Sequence, residues 1–132
     1  MAGPDGSYFP AMPHHSRLDS ANPFITDDGS TIRELVGRVS LPAANQSFAE
    51  ARVPVGGSTI HHHHVVAEEV YWFTSGRGRL LIGGEEVDVG PGDCFLIPPG
   101  TDHKLWNTGE EELVLFCCCS PPYDPADTVL AE

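Results

Sequence analysis

Positive charge is scarce in this chain. Seven Lys and Arg stand against 19 Asp and Glu in 132 residues, a formal net charge of −12. No basic run is available to neutralise phosphates, so nucleic acid is excluded as an expected partner, and an anionic membrane surface for the same reason. No apolar run approaches the roughly 18 residues that a membrane-crossing helix needs. The first twenty residues, MAGPDGSYFPAMPHHSRLDS, lack the charged and apolar regions of a secretory leader, and the expected location is cytoplasmic. Cysteine is limited to Cys94 and the consecutive Cys117, Cys118 and Cys119. Neighbours on a strand point to opposite faces, so this is a poor disulfide framework, and the four are read as reduced thiols acting as small hydrophobes. A sustained helical period is missing as well.

What is present is the texture of one all-β domain. Residues 1–23 are rich in Pro, Gly, Ser and Ala and read as an irregular arm, in which Pro4, Pro10, Pro13 and Pro23 oppose a regular element. Residues 24–132 read as the barrel domain. Short segments of Val, Ile, Leu and aromatics recur there, separated by Gly and Pro. Strands are expected at 31–39, 46–53, 58–64, 69–75, 77–83, 85–89, 93–98, 102–107 and 112–119, with a short helical turn or a strand in the tail. Gly83-Gly84 fits a two-residue hairpin in which both residues take positive φ. Many short strands without helices leave a sandwich or a barrel.

Four histidines, 61–64, run through one of these segments, followed by Glu68 and Glu69. Alternation along a strand splits them into His61/His63 and His62/His64. Only one pair can face the interior, and spacing alone does not say which. The glutamates straddle both faces too. On the next strand Tyr71 and Phe73 share parity with Glu69. Around 46–53 the alternation sets Ala49, Ala51 and Val53 against Glu50 and Arg52. The small apolar side is the expected interior; with the charged side inward, Arg52 becomes the anchor for a substrate carboxylate.

Residues 56–76, GGSTIHHHHVVAEEVYWFTSG, resemble the first motif of the cupin superfamily, G-x5-H-x-H-x3,4-E-x6-G. Gly56, His62, His64, Glu69 and Gly76 fill its fixed positions. Moving the register by one would require glycine at Val55 and Ser75. Residues 92–107, GDCFLIPPGTDHKLWN, resemble the second motif, G-x5-P-x-G-x2-H-x3-N, through Gly92, Pro98, Gly100, His103 and Asn107. The short separation is similar to that of small single-domain bacterial cupins. The resemblance implies a double-stranded β-helix (a jelly-roll barrel) and a metal held by His62, His64, Glu69 and His103.

Three imidazoles and a carboxylate suit one divalent first-row transition metal per chain: Fe, Mn, Ni, Co, Cu or Zn. On an octahedral ion they would leave two positions for water, substrate or dioxygen. The expected activity is that of a metal-dependent enzyme on a small metabolite, in the first place a non-haem dioxygenase. The alternatives are an isomerase, lyase or cyclase that uses the metal as a Lewis acid, and a binding or sensing module without turnover. Ile60, Tyr71, Phe73, Leu105 and Arg52 are the candidate substrate-pocket residues. Asn107 is expected to fix backbone rather than touch substrate. A homodimer is expected, with Tyr8 and Phe9 of the arm as candidate docking side chains.

Overall fold

The structure, a computed structural model, describes residues 14–132. β-branched and aromatic residues favour the pleated, half-buried surface, and the described residues form eleven strands. They are β1 (Phe24–Ile25), β2 (Thr31–Val36), β3 (Ser47–Val53), β4 (His62–His64), β5 (Glu68–Ser75), β6 (Gly78–Ile82), β7 (Glu85–Val89), β8 (Cys94–Ile97), β9 (His103–Asn107), β10 (Leu113–Ser120) and β11 (Thr128–Leu130). They pair into a six-stranded sheet, β1-β2-β3-β10-β5-β8, and a five-stranded sheet, β11-β4-β9-β6-β7. From β3 onward the chain crosses between the sheets at nearly every step, with β6–β7 the one hairpin kept within a sheet. This is the all-β jelly roll. No helix among the described residues is long and apolar enough to cross a membrane.

The cross-strand register stacks the interior in layers. Ser47, Cys119, Glu69 and Ile97 stand opposite one another along the six-stranded sheet. Two residues along lie Ala49, Cys117, Tyr71 and Phe95, and beyond them Ala51, Leu115 and Phe73. The interior thus grades from polar to apolar. Val53, Phe73, Leu80, Leu105, Leu113 and Leu115 are almost fully buried and close the apolar end. Each such side chain contributes about 1.5–3 kcal/mol through burial.

Glycines punctuate the strands where the backbone takes positive φ. Gly83 and Gly84 take φ of 57° and 91° in the β6–β7 hairpin. Gly76 has φ of 84°, and a Cβ there would lie 2.5 Å from the Glu112 carbonyl oxygen. A residue in that place must therefore be glycine for both conformation and space.

The elements differ from the expected ones in several places. β1 is additional to the expected strands, and β2 ends at Val36 rather than at residue 39. The strand expected over 58–64 is ordered as a strand only at His62–His64. Thr59 N bonds to Leu105 O while Ile60 N bonds to Asp28 O, so the preceding segment serves two neighbours. The tail forms both a 3₁₀ turn, Pro125–Asp127, and β11. In the described part of the arm, Leu18–Ser20 form a 3₁₀ turn, and Ser16 Oγ bonds to Leu35 O at 2.8 Å. Tyr8 and Phe9 lie outside the described residues.

Candidate metal centre

Three histidines converge because their strands are neighbours. His62 and His64 alternate inward from β4, and His62 is paired with His103 of β9. Each ring is anchored through Nδ1. His62 Nδ1 meets Ile60 O at 2.6 Å, His103 Nδ1 meets Thr101 O at 2.9 Å, and His64 Nδ1 meets Thr128 Oγ1 at 3.1 Å. The Ile60 and Thr101 carbonyls can only accept, so His62 and His103 donate through Nδ1, whereas the Thr128 hydroxyl can serve His64 either way. A neutral ring held through Nδ1–H presents Nε2 as a ligand lone pair, and a protonated ring presents Nε2–H to a carboxylate. The ligand nitrogens of the three lie within 4.8 Å of one another.

Glu69 enters from β5. Its Oε1 stands 3.2 Å from His64 Nε2 and 3.4 Å from His103 Nε2. Its Oε2 accepts from the Cys119 thiol at 3.2 Å. Glu69 Oε1 and His103 Nε2 are buried without a hydrogen-bond partner. Each such orphan costs about 1–3 kcal/mol, a cost that a cation between them removes. The donor set and the two orphans fit a divalent transition metal, with a second cluster of His64, Glu69 and Cys119 also within 4.8 Å.

The electrostatics follow from this packing. Burial pushes the Glu69 carboxyl up, but the His103 and His64 imidazoles outweigh it and hold the group well below the usual carboxylate range. Burial lowers His64, but Glu69 more than compensates and its pKa is raised. Burial and the neighbouring His103 hold His62 down. Burial, then Glu69, pushes the Cys119 thiol far up, so it stays a hydrogen-bond donor. Burial, then Asp28, pushes Tyr123 up to about 12.

A narrow cavity of about 50 Å³ opens over Glu69 and His64. Tyr71 and Leu105 line it. Phe73 does not: it shares the face of Tyr71 but lies one layer deeper, in the apolar core. Ile60 is also off the lining, because it precedes β4 and its neighbour Thr59 takes that place. Arg52 must be reassigned. It leaves β3 on the outer face, donates to Glu50 at 2.7 Å and to Glu112 at 2.8 Å, and anchors nothing in the cavity. The alanines opposite it, Ala49 and Ala51, face inward.

His63 turns away from the site and contacts Asp102 at 2.8 Å, while His61 lies at the rim and its carbonyl accepts from Ala131 N. Asn107 fixes backbone: its amide donates to Val53 O and Glu111 O and accepts from Gly109 N. The cysteines are all free, but only Cys119 is fully buried; Cys94 is exposed.

Asp28 is a functional candidate outside both motifs. The β1–β2 turn holds its Oδ1 with Thr26 Oγ1, Ser30 Oγ and Ser30 N at 2.5, 2.7 and 3.0 Å. That leaves Oδ2 facing His62 Nε2 at 3.5 Å. The only sequence signal is the T-x-D-x-S spacing of a side-chain-bonded turn, which by itself does not point to a site. Tyr123, from the tail, also lines the cavity and packs edge-on to His64.

The jelly roll with His62, His64, Glu69 and His103 facing inward is a small β-barrel with a candidate metal site. The model of the family described as "Cupin domain" matches residues 49–119, and the chain belongs to that family. An uncharacterized protein of Methanocaldococcus jannaschii is 44% identical over 117 residues, covering 89% of this chain and 94% of the relative. Among solved structures, a predicted oxalate decarboxylase of Thermotoga maritima superposes with a TM-score of 0.70 at 23% identity, covering 79% of this chain and 96% of that one. Streptomyces PAC13, solved with uridine, superposes with a TM-score of 0.73 at 16% identity, covering 88% of each. At these identities both structures speak to the fold alone.

Proposed function

We propose that the chain is a metal-dependent enzyme acting on a small metabolite by non-redox chemistry, as a lyase, dehydratase or isomerase. The observation that carries it is that His64 Nε2 and His103 Nε2 meet the partnerless Glu69 Oε1 at 3.2 and 3.4 Å, while His62 Nε2 stands beside a carboxylate, Asp28, that is outside the His/Glu set. His62, His64, Glu69 and His103 would hold the ion. A divalent metal there supplies Lewis acidity to a substrate oxygen. Asp28 Oδ2 is the group placed to accept a proton from bound substrate, since its other oxygen is saturated by its own turn. Tyr71 and Leu105 wall the bound molecule and exclude water. Cys119 holds Glu69 Oε2, so that Oε1 stays turned toward the imidazoles. PAC13 is described as a nucleoside dehydratase, which agrees with the reaction class without fixing the substrate.

The test is turnover of a panel of small hydroxy and keto compounds with iron, manganese, nickel and zinc, with and without O2. Equal rates in air and under anaerobic conditions support this reading. A strict O2 requirement with iron would support the dioxygenase expectation instead. Tight ligand binding with no turnover under any metal would support a sensing module.

A homodimer is part of the proposal. The outer face of the six-stranded sheet carries Phe48 stacked on Phe116 at 5.4 Å, with Trp72 6.3 Å from Phe116. Trp72 and Leu96 are about half exposed, at 49% and 57%. Such a face is an expected subunit contact. Light scattering at tens of micromolar should give twice the 14.2 kDa chain mass, and a 14 kDa species would remove the dimer.

A further inference from the structure

We infer that the cavity selects a neutral or cationic small molecule bearing hydroxyl or amino hydrogens, and rejects free carboxylates, with Asp28 as the selecting residue. The inference rests on the metal-site reading and names its substrate class.

The argument is one of charge. Asp28, Glu34 and Glu69 line the cavity, and no Lys or Arg does. All seven Lys and Arg of the chain lie within the described residues. Six of them are paired elsewhere: Arg33 and Arg52 face Glu50 outside the barrel, Arg38 pairs with Asp124 at 2.6 Å, Arg17 with Asp19, Arg79 with Asp88 and Lys104 with Glu132. The seventh, Arg77, packs beside Gly90 and Gly109, off the cavity lining. Counting +2 for a bound divalent ion and −1 for each of the three lining carboxylates gives −1 with neutral imidazoles. A substrate carboxylate that is not itself on the metal would then face acidic oxygens with no cation to meet it, at the low effective dielectric of a cavity.

Geometry makes Asp28 the discriminating group. Glu69 is turned to the imidazoles, and Glu34 Oε2 is taken by Val39 N and Ser40 Oγ at 2.8 Å each. Asp28 Oδ1 is saturated by Thr26 and Ser30, so the turn is rigid and Oδ2 is presented as an acceptor. An O–H or N–H of the ligand satisfies it, whereas a ligand oxygen without hydrogen repels it. The rest of the lining mixes the hydroxyls of Thr26, Ser30, Ser47 and Thr59 with apolar and aromatic side chains such as Phe24, Ile32 and Leu115, and favours a compact ligand that offers both carbon surface and hydrogen-bonding groups.

Three probes share one chelating group and a two-methylene spacer and differ in the group that ends the arm: butanohydroxamic acid, its amine-armed analogue β-alanine hydroxamate, and the carboxylate-armed succinic monohydroxamic acid. Metal content is measured first, then each probe is titrated calorimetrically into the metal-loaded protein. The expected order is amine-armed, then neutral, then carboxylate-armed, with at least a tenfold gap between the first and last. Asp28→Asn should reduce that gap severalfold without changing metal content. Equal or tighter binding of the carboxylate-armed probe would overturn the inference. So would loss of metal from Asp28→Asn, which would make Asp28 a ligand. A wild-type protein that takes up no metal would instead break the underlying metal reading, and this is known before any probe is added.

Discussion

Two buried glutamates stand on the same six-stranded sheet and have opposite fates. Glu50, 3% exposed on the outer face, is gripped by Arg52 at 2.7 Å and faced by Arg33 at 3.7 Å. Glu69, 6% exposed on the inner face, has imidazoles in place of guanidiniums and an Oε1 with no hydrogen-bond partner. Both carboxylates lose their hydration. One recovers it from fixed cations in its own chain, as buried charges in stable proteins do. The other has only titratable imidazoles and a thiol beside it, and one of its oxygens has no hydrogen-bond partner. A buried group whose compensation is missing from the polypeptide marks the place where a ligand completes the structure, and burial alone would not have separated the two.

The sharpest way to break the comparison is to remove the inner set. His62→Ala, His64→Ala, His103→Ala and Glu69→Gln should each weaken metal binding by about 100-fold or more, since even outer-shell substitutions cost 10–100-fold. His61→Ala and His63→Ala should leave metal binding near wild type; both rings lie outside the Nε2 cluster. Equal losses from His61→Ala and His62→Ala, read by competition with a metallochromic chelator, would contradict the register.

Glu50→Gln tests the outer glutamate. It removes the charge and one of the two oxygens that accept from Arg52, and should cost about 1–3 kcal/mol in urea unfolding with no change in metal content. Cys119 gives a finer split. Cys119→Val removes the donor to Glu69 Oε2 and should weaken metal binding by roughly tenfold, while Cys119→Ser keeps a donor and should restore most of it.

The smallest expected effect is on pH. Metal and proton compete for imidazole. His64 has a raised pKa and takes up a proton before His62, so as pH is lowered metal affinity should begin to fall before the ordinary imidazole value of 6.5 is reached. In the metal-free protein, Glu69 contributes stability above its ordinary value of 4.5 and loses it as pH falls through the depressed folded value. His64 contributes below 6.5 and loses its share as pH rises through the raised folded value. The pair is therefore strongest between these two limits. Urea midpoints for the metal-free protein that fell steadily from pH 4.5 to 6.5 would contradict that window.

Much of the inner set can be read from the chain because it lies in two short motifs with glycines at set places. Gly56, Gly76, Gly92 and Gly100 all take positive φ, so the backbone itself enforces the register that places His62 rather than His61 inside. What cannot be read that way comes from elsewhere. Asp28 sits in the β1–β2 turn, and Tyr123 follows β10; their approach to His62 and His64 is a product of barrel closure, which has no local sequence pattern. Alternation gave two options for β3, and the alanines, not Arg52, took the interior. Alternation is also blind to depth: Tyr71 and Phe73 share a face, yet only Tyr71 reaches the cavity. Cys119 reads as a small hydrophobe until the register sets it opposite Glu69.

The most direct test measures metal per chain by plasma mass spectrometry on wild type, Glu69→Gln and Glu50→Gln, purified side by side without added metal. The account predicts about one transition-metal ion per chain in wild type and Glu50→Gln, and a small fraction of that in Glu69→Gln. Equal metal content in Glu69→Gln and wild type would contradict it.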